Sequence, residues 1–331
     1  MKLARRLRYW KLCAAGLAIL AGTARADQAV TFNMAWVPQG STAGVLVAIE
    51  RGYYRDVGLD VTAVRGYGGN RTVNEVDRGA FQFGYGDPVS VSLNRANGGQ
   101  TRMIGAINTR WPAGLCYVEE RTRPKKLTDL SNARLGGGAG SPVQNIVPAW
   151  LEQNGLARDS LHLIQMDPSV VDLSLIQGRI DFAECWRGSN RAVIQKEARQ
   201  AKLTIGAIEY ADYGLDIYGN GIVTSDAIIK KDPAMVRKFV QATYKGYDYL
   251  VSHPRETVDI ILKQYPVLDR DVITQQVTET ADLIVDRKAA GRPLGWMSPE
   301  RMNRTSAFID RAFRLGGKVR SDDIYTDTFI N

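Results

Sequence analysis

Residues 32–61 constrain the fold of this chain more than any other stretch. Phe32-Asn33-Met34-Ala35-Trp36-Val37-Pro38 is an apolar strand ending in an aromatic residue and a proline. The small-residue run from Gly40 to Gly44 opens a helix, which stops at Gly52. Tyr53 to Gly58 then leads into a second strand, Leu59-Asp60-Val61. A strand, a helix and a second strand in this order form a βαβ unit, whose two strands run parallel and need helices on the sheet faces. The unit places Trp36 at the carboxyl end of its first strand, where open α/β sheets bind ligands.

The alternation continues along the chain. Strands are predicted over 29–36, 59–64, 81–85, 102–108, 115–118, 133–136, 161–165, 180–184, 203–208 and 219–224. Helices are predicted over 43–51, 71–78, 89–97, 143–154, 170–177 and 192–201. Asn70 is a good helix start and Gly79 a good stop. The tail is helical: Asp232-Pro233 opens a helix that His253-Pro254 ends, and helices near 256–264, 269–284 and 299–314 follow. Two αβ series with two thin crossings, near 110–116 and 218–222, predict an α/β protein of two doubly wound lobes joined by a two-strand hinge. Residues 27–112 and 222–331 are assigned to one lobe and 113–221 to the other. The alternative, a single sheet of about ten strands, is an unusual size.

Residues 1–26 read as a signal peptide. Lys2, Arg5, Arg6, Arg8 and Lys11 form a basic start, Leu12 to Gly22 is a short apolar run, and Ala24-Arg25-Ala26 is a cleavage site before Asp27. The apolar run is shorter than the ~20 residues of a membrane span. This segment holds six basic residues and no acid, so the formal charge of +8 falls to about +2 once it is removed. Nothing in that balance points to nucleic acid. Cys116 and Cys185 are the cysteines left after cleavage, and an exported protein can either join them or keep two buried thiols. With no CxxC and only His162 and His253, no metal site and no cofactor are expected.

The strongest chemical feature is Gly136-Gly137-Gly138-Ala139-Gly140-Ser141-Pro142, a turn from strand to helix. Free N–H groups and the helix dipole favour an anionic or electron-rich group there. Gly138, Ala139, Gly140 and Ser141 are therefore candidate ligand contacts, with Ser141 either capping the helix or donating its hydroxyl. Tyr67, in a second glycine-rich turn, either faces the ligand or only accompanies the turn. Asp87 either caps the helix that begins at Pro88 or touches the ligand. Trp36 and Trp186 are candidate walls for a planar ligand. Arg110 and Arg187 can each fork onto a carboxylate or sulfonate. No catalytic set emerges, since there is no GxSxG elbow and no carboxylate pair suited to acid–base work.

Several further stretches carry a family resemblance in their order along the chain. They are Lys126-Leu127-Thr128-Asp129-Leu130, Gly178-Arg179-Ile180-Asp181-Phe182-Ala183, Tyr218-Gly219-Asn220-Gly221-Ile222-Val223 and Lys231-Asp232-Pro233 with Val236 to Thr243. Together with residues 32–61 they resemble the NMT1/THI5-like solute-binding proteins, relatives of the nitrate, sulfonate and taurine receptors of ABC importers. The resemblance implies a type II periplasmic binding fold that closes on a small ligand and docks on an ABC permease with its ATPase. It implies a periplasmic monomer that is not an enzyme. It adds Gln39, Gly86 and Asn220 to the cleft. The ligand classes it leaves open are an aromatic carboxylate, a pyrimidine thiamine precursor and an alkanesulfonate. The family also holds pyrimidine-synthesising enzymes with a cysteine-rich CCCFC motif, which this chain lacks. Such an enzyme, or another enzyme with a phosphate cofactor, is the alternative reading.

Overall fold

The structure, a computed structural model, describes residues 27–138, 141–286, 289 and 291–330. The expected signal peptide, Ala139 and Gly140 lie outside the described residues. Among those described, no helix is long and apolar enough to cross a membrane.

The chain forms two five-stranded sheets. The first runs β2 (Leu59–Val64), β1 (Gln28–Asn33), β3 (Phe83–Gly86), β10 (Gly221–Ser225), β4 (Thr101–Ala106). The second runs β7 (His162–Met166), β6 (Arg134–Gly138), β8 (Phe182–Trp186), β5 (Ala113–Val118), β9 (Ile205–Glu209). Helices α1 (Ala43–Glu50), α2 (Gly69–Asp77) and α3 (Pro88–Ala96) connect the first series. Helices α4 (Val143–Gln153), α5 (Pro168–Ile176) and α6 (Asn190–Gln200) connect the second. The tail adds α7 (Asp226–Lys231), α8 (Pro233–Ser252), α9 (Pro254–Gln264), α10 (Arg270–Ile284), α11 (Pro299–Phe313) and the single turn α12 (Ser321–Ile324).

Each sheet is mostly parallel, as expected, and carries one antiparallel strand. β10 runs antiparallel to β3 and β4, and β5 antiparallel to β8 and β9. The cause is the crossing. The chain leaves the first sheet at the carboxyl end of β4 and enters the second at the end where its own parallel strands finish, so β5 must run against them. β10 repeats this on the way back.

The opening βαβ unit is scaffold. Phe239 of α8 stacks on Phe83 with ring centroids 3.8 Å apart, and on Tyr54 at 5.2 Å. The Tyr54 hydroxyl bonds Thr243 at 2.7 Å. Gly58, at φ 76°, takes the left-handed conformation that turns the chain into β2. Gly44 and Gly246 let α1 and α8 touch: a Cβ on Gly246 would lie 2.0 Å from the Gly44 carbonyl oxygen.

Cys116 and Cys185 form a disulfide between the adjacent strands β5 and β8. Of the two readings of these cysteines, the free-thiol one is set aside.

Candidate functional site: the cleft between the sheets

A cleft of about 530 Å³ opens where the carboxyl ends of the parallel strands of both sheets meet. Its first wall comes from the turn after β1. Ala35 sits at φ 60°, a conformation that costs a non-glycine residue on the order of 1–3 kcal/mol. The buried Asn33 side chain holds it there, its Oδ1 accepting from the Ala35 N–H at 2.9 Å and from the Thr72 hydroxyl at 3.0 Å. The Ala35 carbonyl accepts from Gly68 N–H at 2.6 Å. The strained turn points Trp36 into the cleft, 39% exposed. Tyr67 lines the same side, with the guanidinium groups of Arg65 and Arg71 each 5.0 Å from its ring. From the second sheet, Trp186 lines the cleft and leans on the buried Trp111 at 5.3 Å.

Asp87 lines the cleft and also caps α3. Its carboxylate accepts from the Ser90 N–H at 2.9 Å and the Ser90 hydroxyl at 2.7 Å. Burial pushes its pKa up, against those bonds. Ser141 lines the opposite side and donates its hydroxyl to Glu184. Gly138 ends β6, paired with Met166.

Other expected contacts have different partners. Gln39 is buried at a junction of the two halves, its amide donating to Ser41 and its carbonyl accepting from Ser189 at 2.7 Å. Asn220 lines the cleft and accepts from Asn108 at 3.3 Å. Gly86 is packed inside the first sheet, where a Cβ would meet Val73 and Val223. Arg110 and Arg187 are not free anion forks: both reach the same carboxylate, Asp282 of α10. Arg187 still edges the cleft, whereas Arg110 is not among its lining residues.

Sequence reasoning missed the carboxyls of the second sheet. Glu184 sits in the middle of β8, only 6% exposed, and lines the cleft. Burial pushes its pKa up to about 7, while hydrogen bonds from Ser141 and Trp186 act the other way. Asp172 of α5 lines the cleft too and accepts from Asn190 at 3.2 Å; burial raises it to about 6. The available signal was the acid in the middle of the apolar run Phe182-Ala183-Glu184-Cys185-Trp186, because a carboxyl in a buried strand needs a reason. Asn108 was missed as well. Its amide nitrogen donates to Tyr85 at 3.1 Å, but its Oδ1 is buried without a hydrogen-bond partner. His162 starts β7 on the surface and His253 stacks on Tyr249; neither lines the cleft.

Two lobes of this topology, closing aromatic walls and fixed polar groups over one cleft, define the periplasmic-binding-protein class of fold. Within it, the chain belongs to the NMT1/THI5-like family, whose description matches residues 39–257. The chain is 22% identical over 314 residues to the formylaminopyrimidine-binding protein of Halalkalibacterium halodurans, covering 92% of each. It is 23% identical over 256 residues to the 4-amino-5-hydroxymethyl-2-methylpyrimidine phosphate synthase of Candida albicans, covering 75% of this chain and 74% of that one. Among solved structures, the periplasmic aliphatic sulphonate binding protein SsuA of Escherichia coli superposes with a TM-score of 0.71 at 15% identity, covering 91% of this chain and 99% of that one.

Proposed function

We propose that this chain is the solute-binding component of an ABC importer. It is exported by residues 1–26, cleaved after Ala26, and captures one small planar molecule between residues 27–112 with 222–331 on one side and 113–221 on the other. It then presents the closed form to an inner-membrane permease and its ATPase. It works as a monomer and carries out no chemistry. The observation that carries the reading is the cleft: Trp36 and Tyr67 face Trp186 across a space the size of a small-molecule ligand. Family membership and the binding proteins among its relatives support it.

Trp36, Tyr67, Asp87, Ser141, Trp186, Arg187 and Asn220 are proposed ligand neighbours, with Gly138, Ala139 and Gly140 beside them. Gln39 is proposed as a closure contact. A broad thermal-shift screen of the mature protein tests the reading. It predicts a rise in melting temperature with one ligand class and no others. Turnover of a candidate compound, with no stabilising ligand, contradicts it.

The synthase likeness gives an enzyme reading its one foothold. Against it, the two histidines lie away from the cleft and both cysteines after residue 26 are joined in the disulfide. The Ser141 hydroxyl that donates to Glu184 has no histidine or lysine among the described residues lining the cleft.

A further inference from the structure

The hydrogen-bond groups lining the cleft are unevenly matched. The two arginines that line it are engaged: Arg71 on Glu75 at 2.7 Å, and Arg187 on Asp282 at 2.6 Å. The carboxyls that line it are Asp87, Asp172 and Glu184. No arginine or lysine partners Glu184, whose donors are Ser141 and Trp186. The titratable group next to it is the buried phenol of Tyr210, whose hydroxyl has no hydrogen-bond partner. From α5 the facing acid is Asp172, and from α6 the facing side chain is Asn190. Arg191, the next residue of α6, is turned to Glu209 and Glu279, and Glu209 of β9 is held by it. From β5 the residue opposite Glu184 is the apolar Leu115.

On the other wall, the Asn108 Oδ1 is an acceptor without a donor, and a buried acceptor in that state costs about 1–3 kcal/mol. The cleft therefore offers hydrogen-bond acceptors on both sides. Among the described lining residues, a carboxylate or sulfonate placed there would meet three carboxyls and two arginines already paired with Glu75 and Asp282.

We propose, building on the receptor reading, that the ligand is a planar nitrogen base presenting N–H donors, and that Glu184 and Asp172 are the groups that select it. The ring lies against Trp36, and its N–H groups reach Glu184 and Asp172 from one side and Asn108 from the other. Binding joins a carboxylate to a donor, so it requires Glu184 to be ionised. Aromatic carboxylates and alkanesulfonates, two of the ligand classes the sequence left open, bring acceptors and no N–H donor to Asp172, Glu184 and the Asn108 Oδ1, and are disfavoured.

Calorimetric titration of the mature chain with benzamidine and 4-aminopyrimidine, beside benzoate and hexanesulfonate, tests this. The two N–H compounds bind and the two anions do not. Benzamidine keeps its charge throughout, so its affinity falls by about tenfold or more from about pH 8 to about pH 5.5 as Glu184 and then Asp172 take up protons. Glu184→Gln loses at least about tenfold at the higher pH and flattens that slope, while its unliganded melting temperature rises. A residue with only a structural role would lose stability with affinity. Should Glu184→Gln fail to fold, Asp172→Asn gives the same reading. Anions binding as tightly as the amines overturns the proposal, as does undiminished binding by the variants. In that case the receptor reading stands. If no small molecule of any class binds, both fall.

Discussion

Glu184 is a carboxyl held in the cleft wall at the expense of the fold's stability. Its folded pKa, about 7, lies above the 4.5 of a free glutamate, so between those values the folded chain binds more protons than the unfolded one. Stability therefore falls as pH rises through that window and levels off above it. Asp172, raised to about 6, adds a slope of the same sign. The unliganded protein should show a higher urea midpoint at about pH 5.5 than at about pH 8, and Glu184→Gln should recover on the order of 2–3 kcal/mol at the higher pH. An unchanged midpoint in the variant would show that the carboxyl is not buried as described. Trp36 behaves oppositely. Because it is part-exposed, Trp36→Ala should leave the midpoint within about 0.5 kcal/mol and weaken ligand binding by about tenfold, read by calorimetry. Asn33→Ala should cost about 1–3 kcal/mol, since it frees the strained Ala35 turn and leaves a buried N–H without its acceptor. Trp36 was legible in the sequence because a tryptophan before a proline at a strand end is conspicuous. Asn33 and Glu184 were not, because their meaning depends on partners, Ala35 and Ser141, that only the folded turn and the folded sheet bring to them.

Strands and helices were far more legible than the site. The predicted helix over 143–154 is α4 at Val143–Gln153, and the predicted strand over 59–64 is β2 at Leu59–Val64. Alternating apolar runs, an Asp-Pro start and glycine stops are local signals, and these elements obey them. Strand direction is a non-local property: the alternation implies a mostly parallel sheet but does not tell that β5 and β10 run against their neighbours. Cysteine pairing is non-local too. The disulfide ties the strand that enters the second sheet to the strand carrying Glu184, across a sequence separation of 69. On a chain-entropy account it contributes about 4 kcal/mol. Reduction should lower the urea midpoint accordingly, and a midpoint indifferent to reductant would mean the bond is absent in the protein in solution.

Across the whole molecule, the C-terminal helices do more than complete the first lobe. Asp282 of α10 holds both Arg110, at the first crossing, and Arg187, beside the cleft. Arg301 of α11 holds Asp216, at the second crossing, together with Asp286. Phe308, Ile309 and Ala312 of α11 are buried in the core that contains Leu135 and Trp150 of the second sheet's series. Ser41 N–H bonds the Gly188 carbonyl at 3.0 Å, and Gln276 of α10 reaches Gly40 and Ser189. The tail thus straps both crossings, and hinge motion must work against it. Asp282→Asn should shift the unliganded protein toward an open form, seen as a larger radius of gyration in solution scattering, and should weaken ligand binding roughly fivefold through that shift. An unchanged radius would show that the strap does not oppose opening. The central claim, that the molecule holds a ligand and does not transform it, is tested most directly by native mass spectrometry of the mature protein purified without refolding. One nitrogen-containing small molecule per chain is expected, released on denaturation with its mass unchanged after prolonged incubation. A chain that carries no small molecule, or one whose bound compound changes mass with time, would contradict it.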